Sequence, residues 1–156
     1  MENHGKSITI LMADDDQDDC LLVKEAFEEN RLLGELRFVE DGEALMDYLY
    51  HRGKYSEQNL SPRPGLILLD LNMPRKDGRE ALREIRSTPD LRAIPVIVLT
   101  TSKEEKEVYR SYDLGANSFI TKPVTFEALV EIVRLLGKYW FDTVKLPPES
   151  KEACHE

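Results

Sequence analysis

Three consecutive aspartates, Asp14, Asp15 and Asp16, follow the apolar run 8–13 (ITILMA), and another, Asp70, follows the run 66–69 (LILL). Two further runs also end on reactive residue types. Residues 96–99 (VIVL) lead into Thr100 and Thr101, and residues 118–121 (SFIT) lead into Lys122 and Pro123. If these runs are neighbouring strands, their ends converge on one rim. At least three carboxylates then crowd a partly dry site, where like charges repel by on the order of several kcal/mol. Lys122 alone does not balance them. A hard divalent cation held by carboxylate, carbonyl and water oxygens does, and magnesium fits best. A carboxylate fixed beside such a metal and an ammonium group can also receive a phosphoryl group, its oxygen attacking in line.

The elements that must position these groups are readable from hydrophobic patterning. The runs 8–13, 66–69 and 96–99 are nearly continuous, as expected of strands covered on both faces, and are predicted to be central. Residues 36–39 and 118–121 are shorter and read as outer strands. Helical spacing lies between them: Leu22, Val23, Ala26 and Phe27, then Leu45, Tyr48 and Leu49, then Ala81, Leu82 and Ile85. Ser102 and Glu105 form a capping box for a fourth helix that stops near Gly115, and Thr125 caps the last. Strict alternation of strand and helix predicts an α/β fold, a doubly wound five-stranded parallel sheet of flavodoxin-like order 2-1-3-4-5 with helices on both faces. Ligands in such sheets sit outside the carboxyl ends of the strands.

The chain has 156 residues, 33% of them charged and 41% hydrophobic, which predicts one domain over residues 1–146 with a short tail at 147–156. Ten residues are too few for an output domain, so action through contacts with other proteins is expected. A net charge of −9 argues against nucleic-acid binding. No apolar run approaches the roughly 20 residues of a membrane span, and no charged-then-apolar leader opens the chain, so a cytoplasmic protein is expected. Cys20 and Cys154 form no disulfide framework and suit a reducing compartment. The connection 51–64 reads as an exposed loop, and His4, His51 and His155 have no ligand set near them.

The segments ADDD (13–16), LLDLNMPRKDG (68–78), VIVLTT (96–101) and ITKPV (120–124) together resemble the receiver domain of two-component response regulators. The resemblance covers residues 8–137. It implies that Asp70 accepts a phosphoryl group from the phosphohistidine of a sensor histidine kinase. It further implies that Asp15 binds Mg²⁺ directly, Asp14 through water and Asn72 through its backbone carbonyl. Lys122 would pair with Asp70 and then with phosphoryl oxygens, its bond to Pro123 being cis. Thr100 would donate its hydroxyl to the phosphoryl group. Phe119 stands at the aromatic switch position, where ring burial alone must report the switch because no phenol hydroxyl is present. Asn72 and Ser102 occupy the positions where receivers tune access of hydrolytic water. The long connection and the ending GKYWFDTVKLP are similar to response regulators paired with bacterial phytochromes, stand-alone receivers with an extended last helix. Gly65 stands where that subfamily has Asp.

Taken singly, these residues have ordinary explanations: Asp70 as a cap, Lys122 as a solvated lysine, Thr100 as a strand terminus, Phe119 as edge packing. Jointly the polar strand ends do not, since Asp14 to Asp16, Asp70, Thr100 and Lys122 would have to converge on one rim by chance. Asp14, Asp16, Asp18 and Glu25 fall at calcium-loop positions, but Asp19 replaces the required glycine, and Asp16 to Asp19 fit a capped acidic helix start instead. Asp14 and Asp16 also mimic the Asp-x-Asp of aspartyl-phosphate phosphohydrolases, a reading that leaves Asp70 and Lys122 unexplained. A receiver-shaped adaptor without phosphorylation would not need the complete acidic set. In the last helix, Phe126, Leu129, Val130, Val133, Leu136 and Trp140 form the face expected on the sheet. Ala128, Ile132, Leu135 and Tyr139 form a second apolar stripe, which predicts a homodimer, with Tyr109 and Tyr112 as candidate contributors. The alternative is a tail folded back over the stripe.

Overall fold

Apolar segments with both faces covered become the three inner strands of the computed structural model, which describes residues 8–30, 34–100 and 112–139. These are β1 (Thr9–Ala13), β3 (Leu66–Leu69) and β4 (Val96–Thr100); β2 (Glu35–Val39) and β5 (Ser118–Thr121) lie outside them. The sheet is parallel throughout, in the expected order β2-β1-β3-β4-β5. Side chains alternate across it. Leu11, Ala13, Ile67, Leu69, Val96 and Val98 enter a core with helices α2 (Gly42–Tyr50) and α3 (Gly78–Ser87). Ile10, Met12, Leu66, Leu68, Ile97 and Leu99 enter a second core with α1 (Gln17–Glu29) and α4 (Phe126–Gly137). Period-two alternation thus gives each face its own hydrophobic layer.

Helix starts follow the local chemistry. Asp16 caps α1 by accepting from the Asp18 and Asp19 amides, Asp77 and Glu80 close a capping box on α3, and Thr125 accepts from Ala128 N to cap α4. The buried stripe of α1 is Val23, Ala26 and Phe27. Leu22, expected with them, is 40% exposed, because it lies about 90° around the axis from the centre of that stripe. The expected Ser102–Glu105 capping box and most of its helix lie outside the described residues.

The connection 51–64 is more structured than its composition indicates. It contains a 3-10 turn at Gly53–Tyr55 and is fastened by Tyr48 Oη donating to Pro62 O (2.7 Å) and by the His51 ring on Ser61 O (2.9 Å). No peptide bond among the described residues is cis, so Lys122–Pro123, expected cis, is trans. The trans isomer, favoured by about 0.5–1 kcal/mol for an X–Pro bond, already delivers the lysine to the rim.

The loop from β3 to α3 is fixed to the start of α2. Gly42 N donates to Lys76 O (2.9 Å), and a Cβ on Gly42 would stand 2.0 Å from that oxygen. The buried Asp41 carboxylate caps α2 through Ala44 N (2.7 Å) and pairs with Arg75 Nη1 (3.0 Å). We expect Gly42→Ala to destabilise the fold by about 2–4 kcal/mol, read as a lower urea midpoint, because the colliding partner is backbone.

Candidate functional site

Strand register builds the site. Ala13 stands beside both Val39 and Leu69, so the next residues, Asp14 and Asp70, leave adjacent strands side by side. Their backbones are tied to the sheet: Asp14 N donates to Val39 O and Asp70 N to Ala13 O, both at 3.0 Å. Carboxylate oxygens of Asp14, Asp15 and Asp70 lie within 4.8 Å of one another. Asp14 and Asp70 are buried, whereas Asp15 is exposed. Hard oxygen donors gathered this closely fit a divalent cation of the magnesium, calcium or manganese type.

Lys122 immediately follows β5 and reaches across the rim. Its Nζ lies 2.7 Å from Asp14 Oδ2, 2.6 Å from Asp19 Oδ2 and 3.4 Å from Asp70 Oδ2. The expected pairing with Asp70 is therefore the longest of the three. Asp19, read from the sequence only as part of an acidic first helical turn, is the closest. The available signal was its place three residues after the Asp16 cap, which turns it back towards the rim. Asp70 Oδ1 accepts from Asn72 N (3.2 Å), and Asp14 Oδ1 accepts from Asp16 N (2.9 Å).

The charges do not balance. Asp14, Asp19 and Asp70 share one ammonium group, and Asp15 stands beside them. Burial pushes the Asp14 carboxyl up to about 6, with hydrogen bonds from Lys122 and Asp16 N opposing the shift. For Lys122, burial lowers the pKa, but bonding to Asp14 and Asp19 outweighs this and holds the ammonium above the ordinary lysine range. Beside them the Cys20 thiol is pushed up to about 12, mainly by burial, and so remains an unreactive thiol at neutral pH.

The other expected residues are distributed around this cluster. Thr100 ends β4 opposite Thr121, the residue preceding Lys122. Phe119 is half-buried against the α2–α3 core, and Asn72 is exposed in the loop after Asp70. On α4, Leu129 and Val133 are buried, with Phe126, Val130 and Leu136 packed beside them. Ala128, Leu135 and Tyr139 are exposed and Ile132 half-buried, so the second stripe faces away from the sheet. Trp140 and Tyr109 lie outside the described residues, and Tyr112 is exposed. A cleft of about 530 Å³ opens beside Asp14 between α1 and the 3-10 turn, lined by Gln17, Lys24, Phe38 and Lys54 among others.

Asp14 gives the metal-free fold a defined pH dependence. Between its ordinary value of 3.8 and about 6, the folded chain retains a proton that the unfolded chain has lost. Stability contributed by this group is therefore complete below pH 4 and declines as pH rises through 6. Without added metal, Asp14→Asn is expected to raise the thermal midpoint at pH 7 and to remove this part of the slope. Melting curves of both proteins from pH 4 to 7 check it, and parallel curves contradict it.

Comparison with known proteins places this geometry. Residues 10–134 match the family described as the response regulator receiver domain. Response regulator Rcp1 of Synechocystis sp. is 45% identical over 138 residues, spanning 88% of this chain and 92% of that protein. The crystal structure of the phosphorylated cyanobacterial phytochrome response regulator RcpA is similar at 41% identity, with a TM-score of 0.85, over 92% of this chain and all of that one. The Mn²⁺-bound form of Rcp1 is similar at 44% identity, with a TM-score of 0.81, over 90% of this chain and 99% of that one. A parallel sheet of order 2-1-3-4-5 whose carboxyl edge gathers Asp14, Asp15, Asp70 and Lys122, in a chain so related, is a receiver domain: this protein belongs to the response regulator family of signalling proteins.

Proposed function

We propose that Asp70 is the phosphoacceptor of a Mg²⁺-dependent transfer from a sensor histidine kinase. The observation that carries this reading is the convergence of three carboxylates within 4.8 Å, among them Asp70 at the end of the central strand β3, with Lys122 Nζ 3.4 Å from its Oδ2. Asp70 attacks phosphorus as the bond from phosphorus to the donor's histidine nitrogen breaks, which leaves an acyl phosphate on Asp70. Asp15 would hold the metal directly, Asp14 through water and Asn72 through its backbone carbonyl. Bound there, the ion supplies positive charge to the equatorial phosphoryl oxygens. Lys122 supplies the second charge, and Thr100 donates its hydroxyl once the phosphoryl group is in place. Such a chain catalyses only its own phosphorylation and dephosphorylation.

The donor we infer is a phytochrome kinase. Support comes from the relation to RcpA, described as a cyanobacterial phytochrome response regulator. Output is a change of protein contacts, with Thr100 and Phe119 coupling occupancy to the surface of β5 and of the helix expected from Ser102 to about Asp113. Incubation with Mg²⁺ and acetyl phosphate should yield an acid-stable, base-labile label that is absent in Asp70→Asn. A label that persists in that variant overturns the assignment. Multiple turnover of phosphomonoesters would instead favour a hydrolase, and an unlabelled wild type a non-phosphorylated adaptor.

We also propose a homodimer through Ala128, Ile132, Leu135 and Tyr139. Leu135 is about half exposed on the side of α4 turned away from the sheet, and Tyr139 just beyond its end is exposed to a similar degree; a partner docked there would cover the large apolar side chain of Leu135. Light scattering should give twice the chain mass of 18.0 kDa for the wild type and a single chain mass for Leu135→Glu. A wild-type monomer at high micromolar concentration, phosphorylated or not, overturns the dimer.

A further inference from the structure

From the 2.6 Å contact between Lys122 Nζ and Asp19 Oδ2 we infer that Asp19 is a positioning residue that competes with the phosphoryl group for the lysine. This rests on Asp70 as phosphoacceptor and adds a residue that acts on it only through Lys122. The ammonium has three donors, and its two short contacts go to Asp14 and Asp19, leaving Asp70 at 3.4 Å. Asp14 belongs to the acidic cluster, its carboxylate fully buried beside the lysine. Asp19 does not: its carboxylate sits on the first turn of α1, outside the set of Asp14, Asp15 and Asp70, and is 31% exposed against 9% for Asp70.

The Lys122 side chain is only 13% exposed, so water cannot substitute freely for a lost partner. When a phosphoryl group forms on Asp70, its oxygens need the lysine, and the partner given up is the more solvated one. Asp19 therefore weakens the hold of Lys122 on the phosphoryl group by the strength of a partly screened ion pair. Release of Asp19 also frees a charged group on α1, so occupancy of Asp70 is registered on that helix as well as beyond β4.

The test uses the full chain with saturating Mg²⁺ and beryllofluoride, a phosphoryl mimic, and reads the beryllofluoride dissociation constant by calorimetry. Asp19→Asn should bind about three- to tenfold more tightly than wild type, as removal of a partly solvated competitor allows. Asp19→Ser should do the same, which separates the effect from any new contact made by the amide. Asp18→Asn is the control, since it removes the same charge from the same helical turn while Asp18 has no contact with Lys122 among its bonds. It should stay within about twofold of wild type. Equal tightening by Asp18→Asn and Asp19→Asn would assign the effect to general electrostatics and overturn the competition. Weaker binding by both Asp19 variants would make Asp19 a support for Lys122 and overturn it too. Failure of the wild type to bind beryllofluoride would overturn the phosphoacceptor reading and this inference with it, an outcome distinct from either of the others.

Discussion

The constraint on which the structure depends is the confinement of negative charge at the carboxyl edge of the sheet. Asp14 and Asp70 cannot retreat from one another, because the backbone amide of each is bonded to the strand next to its own. Their repulsion is not relieved by solvent either, as both are buried. One ammonium group partly compensates, and its hydrogen bonds cannot bring Asp14 down to the ordinary carboxyl range against burial. A fold that only required stability would place apolar groups here, so this concentration of charge is not explained by packing.

Keeping oxygen donors in place also requires a rigid loop after β3. Arg75 adopts a left-handed conformation, φ 66°, in a region that costs an ordinary L-residue about 1–2 kcal/mol. Its side chain offsets this by pairing with Asp41, whose carboxylate has lost its water and needs the guanidinium more than the guanidinium needs it. Gly42 and Gly78 complete the fixation by close approach: a Cβ on Gly78 would stand 2.3 Å from Asp70 O. The loop bearing Asn72 is thus held from α2 at one end and from Asp70 itself at the other. Its geometry is set by backbone contacts that do not depend on a bound ion.

Much of this was legible because strand ends in a doubly wound sheet are also site positions. Once the runs 8–13, 66–69, 96–99 and 118–121 were assigned, Asp14, Asp70, Thr100 and Lys122 had to share one edge. Asp16 and Thr125 were legible as caps because short polar side chains before an apolar helical pattern satisfy free amides. What escaped was set by orientation rather than type. Asp19 looks like any first-turn acid until the rotation of α1 turns it onto Lys122. Leu22 reads as core until the same rotation carries it to the flank. The 51–64 connection has a loop's composition, and its path is fixed by bonds that composition does not reveal: Tyr48 Oη to Pro62 O, Arg37 to Leu60 O, Arg63 to Asp90 O and the His51 ring on Ser61 O.

The two ends of the site differ in how freely they can respond to occupancy. β1 and β3 are buried along their whole length, so Asp14 and Asp70 are anchored in the least deformable part of the molecule. β5 is half-buried at every residue and, among the described residues, pairs only with β4. Lys122 is covalently next to that strand, and Phe119 sits three residues earlier in it. Any force that draws the ammonium from Asp19 towards Asp70 is therefore exerted on an edge strand that, among the described residues, is paired on one side only. The adjoining α4 is tied to the rest by Leu129 and Val133 and by Asn30 Nδ2 donating to Val130 O, while its second stripe faces outward. With Asp14 and Asp70 fixed at the ends of buried strands and Lys122 leaving an edge strand, the lysine is the member of the cluster with the most freedom to change partner.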